Sequence, residues 1–208
     1  MKKDWRKVSK NLKNLYTHPD HYVTHVKRVY KNAFMIAKTV NCDQDVVEAA
    51  ALLHDIARDE EYDGQIKDHA KEGAKKAETL LQETDFPREK IPLVVYAIAS
   101  HCFKNRIKPK TIEAKILQDA DRLDALGAII ITRMLRHDFN KPIYDPKIKP
   151  QKEYTGPSTT VINHFIEKIS KITPDSFHTK TAQKIAKHRY QFVVSFFKEL
   201  VDELEGKR

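Results

Sequence analysis

The sequence has little glycine, little cysteine and no long apolar run. Its 208 residues include only 5 glycines, and none forms a glycine-rich phosphate loop or a nucleophile elbow. Its 2 cysteines, Cys42 and Cys102, show no metal or disulfide spacing. No segment approaches the roughly 18 apolar residues that cross a bilayer, and the charged start, Met1-Lys2-Lys3-Asp4, is not typical of a signal peptide. We therefore expect a cytoplasmic protein with reduced cysteines and no membrane partner.

What the chain does have is positive charge. The 38 lysines and arginines exceed the 29 acidic residues, which gives a formal net charge of +9. Such an excess favours anionic partners. The lysines are scattered at helical intervals, however, and they do not alternate with aromatic residues as single-strand binding surfaces do. The charge therefore points to a phosphate-bearing ligand and says little about nucleic acid, which we do not expect as a partner.

Apolar residues recur with the period of an α-helix along most of the chain, and no segment has the alternation of a strand. We predict a single all-α domain over residues 1–208. The predicted helices cover residues 3–16, 20–40, a third segment from Asp43 to near Arg58, 66–83, a fifth from Pro87 to His101, 111–135, 158–171 and 177–205. Four prolines interrupt residues 138–157, which we interpret as an ordered loop or lid.

The last predicted helix carries an apolar stripe that we expect to be buried. It contains Ile185, Phe192, Val193, Phe196, Phe197, Leu200 and Leu204.

The segment from Ala49 to Arg58 predicts the chemistry. It reads as the second half of a buried helix in which His54 and Asp55 follow an unbroken apolar run. Burying an unpaired carboxylate beside an imidazole is costly, and a divalent cation removes that cost by binding both groups. For an isolated pair, a capping role at a helix end would be the simpler interpretation.

Two further donors lie in similar apolar helical contexts. His25 belongs to the second predicted helix, and Asp121 lies in a run with Asp119 and Asp124. A single histidine or aspartate of this kind usually has a structural or surface role, but four together favour a metal site. Two imidazoles and two carboxylates suit Mn²⁺, Fe²⁺, Mg²⁺, Co²⁺ or Zn²⁺.

These residues resemble the HD-domain superfamily of metal-dependent phosphohydrolases. The resemblance lies in three segments: His25-Val26-Lys27-Arg28-Val29, Leu52-Leu53-His54-Asp55-Ile56 and Ala120-Asp121-Arg122-Leu123. It covers residues 18–135 and implies a helical bundle around a metal held by His25, His54, Asp55 and Asp121, with Asp119 as the alternative to Asp121. Residues 163–189 resemble the small, stand-alone bacterial subgroup, which implies that helices of residues 158–208 pack on the HD core.

The resemblance also implies roles for other residues. Some relatives use two further histidines to hold a second metal. We interpret His69 and His101 as phosphate contacts beside a single metal, with a second metal as the alternative. Asp59 is a candidate for activating water, or a residue of an exposed acidic loop. Asp124 either orients a ligand histidine, contacts a sugar or makes a hydrogen bond inside its helix.

Four cations complete the predicted site by the same resemblance. The candidate substrate contacts are Arg58, Arg122, Lys168 and Arg189. For Arg122 the alternative is an ion pair with a neighbouring carboxylate.

The predicted function is a metal-dependent phosphohydrolase, for which manganese is one suitable metal, acting on a small phosphorylated molecule, a nucleotide above all. The subgroup resemblance favours nucleoside triphosphate pyrophosphohydrolysis, with water attacking the α-phosphate. Three alternatives stay open: a guanosine tetraphosphate alarmone hydrolase, an oxygenase-type HD enzyme with two irons, and a non-catalytic module that binds nucleotide or nucleic acid. A homodimer is compatible with the sequence.

Overall fold

A computed structural model describes residues 3–11, 15–16, 19–137, 140–154 and 157–207. Helices dominate these residues, and the only bridge between extended segments there is an isolated one from Lys3 to Thr84. The all-α prediction is therefore confirmed. The helices of the described residues are α1 (Trp5–Lys10), α2 (Pro19–Ala37), α3 (Gln44–Leu53), α4 (Arg58–Tyr62), α5 (His69–Gln82), α6 (Ile91–His101), α7 (Ile112–Asp124), α8 (Ala128–His137), α9 (Val161–Glu167) and α10 (Lys180–Leu204).

The chain forms two compact units, Met1–Asp121 and Arg122–Arg208, and the boundary between them falls within α7. In the first unit, α5 packs on α6, and α3 contacts both α2 and α6. Its core consists of side chains with almost no exposed surface, including Val26, Leu53, Leu81, Ile98 and Leu117. Burial of such side chains is the main stabilising contribution to a helical unit.

The end of α3 differs from the prediction, because this helix stops at Leu53 rather than near Arg58. Its last carbonyl groups have partners that do not continue the helix. Tyr16 Oη donates to Leu52 O at 2.8 Å, and the backbone N–H of Ile56 donates to Leu53 O at 3.1 Å. These bonds satisfy the helix end and turn the chain into α4. His54 and Asp55 therefore lie in the tight turn between α3 and α4.

The predicted helix over residues 111–135 is two helices, α7 and α8, separated at Gly127. Gly127 has a φ of +80°, which is in the left-handed region that glycine adopts without strain. The Arg189 guanidinium donates through Nη1 to Leu123 O at 2.7 Å and so satisfies a carbonyl at the end of α7.

Replacing Gly127 with alanine should lower the free energy of unfolding by about 2 kcal/mol, because the left-handed backbone costs about 1–2 kcal/mol for a residue with a Cβ. The added Cβ would also lie 3.2 Å from Cγ of Arg189. Urea unfolding measures the effect. Gly64→Ala is the matched control, since Gly64 has a φ of +74° and no atom within 4 Å of an added Cβ. Equal losses in the two variants would contradict a contribution from the Arg189 contact.

The second unit is built around α9 and α10. The rings of Phe165 and Phe197 stack with their centroids 4.3 Å apart, and Phe197 is buried. The predicted apolar stripe is only partly buried, because Phe192, Phe196 and Leu204 are exposed while Val193 and Phe197 are not. The apolar stripe is wider than the part of the helix surface that faces the core, so its outer residues remain exposed.

The second unit also contains the predicted loop. Residues 140–154 have turns and bends but no helix, whereas α9 is shorter than predicted and is followed by a 3₁₀ turn over Ile169–Lys171. Closure of this loop over a ligand stays a prediction. Among the described residues, no helix combines the length and apolar character that crossing a bilayer requires.

Candidate metal centre

A cluster of histidines and carboxylates surrounds Asp55 within the first unit. Its side chains come from five elements: α2, the turn after α3, the start of α5, the end of α6, and α7. The turn after α3 supplies two of them, His54 and Asp55. The cluster consists of His25, His54, Asp55, His69, His101 and Asp121. The four histidines and Asp55 are buried, while the Asp121 side chain keeps 26% of its surface exposed.

One side of the Asp55 carboxylate faces His25 and His54, which we call the Oδ2 pair. Both Nε2 atoms lie 3.6 Å from Asp55 Oδ2, and they lie 3.3 Å from each other. His25 Nε2 is also 3.4 Å from Asp121 Oδ1. Two imidazole nitrogens thus face this oxygen of Asp55, and the Asp121 carboxylate lies beside one of them.

The other side of the same carboxylate faces His69 and His101, the Oδ1 pair. Their Nε2 atoms lie 3.5 Å and 3.6 Å from Asp55 Oδ1. The two rings meet edge to face with their centroids 5.3 Å apart. Asp55 therefore presents each of its oxygens to a different pair of imidazoles.

The hydrogen bonds of two of these histidines fix which ring nitrogen carries a proton. His54 Nδ1 donates to Ala51 O at 2.9 Å, and His101 Nδ1 donates to Ile98 O at 2.6 Å. Because a carbonyl oxygen only accepts, Nδ1 carries a proton in both rings, and in a neutral ring Nε2 is then left to bind a metal. This is the arrangement that protein histidines use to bind metals.

The electrostatics of the cluster favour charged carboxylates and a neutral His54. Burial lowers the pKa of His54 to about 4, and the neighbouring His101 and His25 act in the same direction. Burial raises the pKa of Asp55, but the surrounding histidines outweigh it and hold the pKa well below its usual range. The pKa of Asp121 is lowered as well. Burial raises this pKa, but the hydrogen bond with His25 has the opposite effect and outweighs it.

The donor set fits divalent cations. Ligand atoms about 2.1 Å from a common cation lie roughly 3.0–3.4 Å apart, which is close to the separations in this cluster. Two groups of three donors, each with ligand atoms within 4.8 Å of one another, can hold an ion: His25 with His54 and Asp121, and His54 with Asp55 and His101. Asp121, and not Asp119, supplies the carboxylate from α7 to these groups of the described residues.

Glu61 is a contact that sequence reasoning missed. His69 Nδ1 donates to Glu61 Oε2 at 2.8 Å, which leaves the Nε2 lone pair facing Asp55, and Arg58 Nη1 donates to the same oxygen at 2.5 Å. The alternative of an exposed acidic loop around Asp59 gave no reason to expect this contact, whereas residues 58–62 form α4. Arg58 and Glu61 are three positions apart, and this spacing brings two side chains together on one face of a helix. It was the feature of the sequence from which their ion pair could have been predicted.

Truncating Glu61 to alanine should weaken metal binding at the Oδ1 pair by about 10–100-fold, because loss of a partner that orients a ligand histidine has effects of this size. Titration of the metal-free protein with Mn²⁺ measures this affinity. Glu60→Ala is the matched control, since Glu60 is the adjacent residue of α4 and pairs with Lys76 instead. Equal affinities in Glu61→Ala and Glu60→Ala would show that His69 needs no such orientation.

Asp59 is buried on α4, so the interpretation of an exposed acidic loop is wrong at this position. The short helix turns its side chain inward. Arg58 keeps 39% of its side chain exposed and lies with Nη1 at 2.9 Å from His69 Nδ1. The roles of Asp59 in activating water and of Arg58 in binding substrate stay predictions.

Asp124 and Arg122 lie in the second unit, and both are engaged there. The buried Asp124 accepts a hydrogen bond from Arg133 Nη1 at 2.7 Å. Arg122 Nη1 donates to the backbone oxygen of Ser176 at 3.0 Å. A structural role accounts for these contacts, and contact of either side chain with substrate or ligand histidine stays a prediction.

Lys168 and Arg189 also make contacts within the second unit. The Lys168 ammonium lies 5.2 Å from the centroid of the Tyr154 ring, a cation–π distance. Arg189 makes the bond to Leu123 O described above, and it packs along Gly127. Their predicted contact with substrate likewise remains a prediction.

The fold and the cluster together define an all-α protein with a buried histidine–carboxylate centre that can hold divalent metal. The family model described as HD domain matches residues 22–126, and the chain belongs to this family. The chain is similar in sequence and fold to metal-dependent phosphohydrolases of the HD superfamily. Membership of this family implies that the protein binds a divalent metal.

Several relatives cover nearly the whole chain. A solved HD-superfamily hydrolase from Bacillus thuringiensis is 30% identical, covers 97% of this chain and 98% of its own, and superposes with a TM-score of 0.72. A structure from Lactobacillus plantarum is 29% identical, covers 88% and 87%, and gives a TM-score of 0.73. YpgQ of Bacillus subtilis, solved in complex with ADP, is 25% identical, covers 95% and 93%, and gives a TM-score of 0.68.

Proposed function

We propose that this protein hydrolyses nucleotides with the help of divalent metal, and that its reaction is nucleoside triphosphate pyrophosphohydrolysis. The observation that carries the proposal is the two-sided environment of Asp55, whose oxygens each face a pair of imidazoles. The complex of the relative YpgQ with ADP supports a nucleotide as ligand. Both features suit phosphoryl transfer, which depends on positioning and charge neutralisation more than on covalent catalysis.

We propose that His25, His54, Asp55 and Asp121 hold one cation, and that His69, His101 and Asp55 hold a second. The Nε2 atoms of His69 and His101 both face the same oxygen of Asp55. This arrangement favours a second metal over the interpretation in which the two histidines only contact phosphate. When bound, divalent cations supply charge neutralisation for phosphate oxygens and lower the pKa of water.

Other residues of the chain would control access to the centre, accept a proton and bind the substrate. Asp121 is the more exposed ligand, so substrate and water would reach the centre on its side. Asp59, buried close to the start of α4, would accept the proton of the attacking water. The half-buried Arg58 guanidinium, held by Glu61, would bind a phosphate oxygen of the substrate.

The experiment is a screen of nucleoside triphosphates, diphosphates and guanosine tetraphosphate with each divalent ion, in ¹⁸O-labelled water. Attack at the α-phosphate produces pyrophosphate and places the label in the nucleoside monophosphate. Release of inorganic phosphate from the terminal position would contradict pyrophosphohydrolysis. Preference for guanosine tetraphosphate would favour the alarmone hydrolase, and bound metal without turnover would favour a binding module.

The bridging position of Asp55 also suits a second candidate function, the oxygenase-type enzyme with two irons, which requires His69 and His101 as ligands. Loading the metal-free protein with Fe²⁺ separates the two candidates. Hydrolysis that proceeds equally with Mn²⁺ and without oxygen supports the phosphohydrolase. Oxygen consumption coupled to oxidation of an organic phosphate would overturn it.

A further inference from the structure

The two histidines of the Oδ1 pair stand at helix ends. His69 is the first residue of α5, and His101 is the last residue of α6. Helix ends lack part of their internal hydrogen bonds and depend on other groups to hold them. The distance between these two imidazoles therefore depends on what holds the start of α5 and the end of α6.

One side-chain contact connects the two ends. Asp68 caps α5 by accepting from the backbone N–H groups of Ala70 at 3.0 Å and Lys71 at 3.1 Å. The same carboxylate accepts from Asn105 Nδ2, at 3.3 Å to Oδ1 and 3.1 Å to Oδ2. Asn105 ends the 3₁₀ turn that follows α6, so one carboxylate fixes the residue before His69 to the turn after His101.

The turn that carries Asn105 is itself fixed. The buried Gln118 of α7 donates through Nε2 to Ser100 O at 2.6 Å and to Ile107 O at 2.8 Å. These two carbonyls flank the turn on either side. Because the segment between them is anchored at both ends, Asn105 transmits the position of α6 to Asp68 rather than moving independently.

We propose that Asp68 and Asn105 are positioning residues that set the spacing of His69 and His101 for the second cation. This inference rests on the proposed two-metal centre. Neither residue contacts the cation in this arrangement. They act through the backbone of the two helix ends, as outer contacts of metal sites do when they orient ligands.

The test uses the full chain and Mn²⁺ alone. In Asn105→Asp, two carboxylates face each other, and we expect affinity for the second equivalent of Mn²⁺ to fall by about 10–100-fold while the first is retained. The double variant Asp68→Asn with Asn105→Asp exchanges the partners. Asparagine caps helices as well as aspartate, and the amide at position 68 can donate to the carboxylate at position 105. We expect this variant to recover most of the second-site affinity.

Lys104→Ala is the matched control, because Lys104 is the exposed neighbour of Asn105 in the same turn, and it should bind two equivalents as the wild type does. Second-site binding of wild-type strength in Asn105→Asp would overturn the inference, as would loss of both equivalents or failure of the double variant to recover. A wild type that binds one equivalent would overturn the two-metal centre and the inference together. Absence of nucleotide hydrolysis with both metals bound would overturn the proposed function alone.

Discussion

Replacing Asp55 with alanine should lower turnover of the proposed nucleotide substrate by about 10³-fold or more, because a metal-dependent hydrolase without its metals loses both charge neutralisation and the activated water. Asp55 is the side chain whose two oxygens face both histidine pairs. Its removal should therefore abolish both metal equivalents, whereas His101→Ala should affect the second equivalent more than the first. Steady-state kinetics and metal quantification on the same preparation measure these effects.

The control for this variant is Asp63→Ala. Asp63 is an exposed carboxylate that follows α4, eight positions after Asp55, and its loss leaves the cluster intact. We expect Asp63→Ala to keep wild-type metal content and activity. Retention of activity in Asp55→Ala with any phosphate substrate would show that the cluster does not carry the reaction.

Removing the metals should destabilise the protein strongly. Each site adds about 2.7 kcal/mol to the free energy of unfolding when free metal is 100-fold above its dissociation constant, because the unfolded chain lacks the assembled site. Two sites would add about 5 kcal/mol, equivalent to a rise in melting temperature of roughly 10–20 °C for a chain of this size. The unfolded chain lacks the site because the ligands come from elements that are far apart in sequence, from His25 to Asp121.

Thermal unfolding with and without a chelator, followed by titration with Mn²⁺, measures this stabilisation. Asp55→Ala is the control, since added metal should change its melting temperature by no more than about 2 °C. A wild-type melting temperature that is the same in chelator and in excess Mn²⁺ would contradict binding to the native cluster.

The cluster illustrates what can be predicted from the residues of a site. Imidazole and carboxylate in apolar helical contexts identified His25, His54, Asp55 and Asp121 as neighbours, and the structure brings these four together. Their role as metal ligands stays a prediction. The position of His69 and His101 on the second oxygen of Asp55 did not follow from spacing, because it depends on how the ends of α5 and α6 pack.

The contacts around the ligands were harder to predict. Glu61 looked like one of several acidic residues in a solvated loop, and only the formation of α4 directs it to His69. Asp68 and Asn105 are separated by 37 positions, and nothing in the intervening sequence indicates that they meet.

The sequence by itself determined the helical class and the chemistry of the donors, because periodicity and side-chain type are properties of local stretches. Tertiary structure decided where the helices stop and which oxygen of Asp55 each imidazole faces. The break at Gly127 depends on a left-handed backbone there, and the end of α3 depends on Tyr16, distant in sequence, reaching Leu52. Such contacts form only when packing brings distant segments within hydrogen-bond distance.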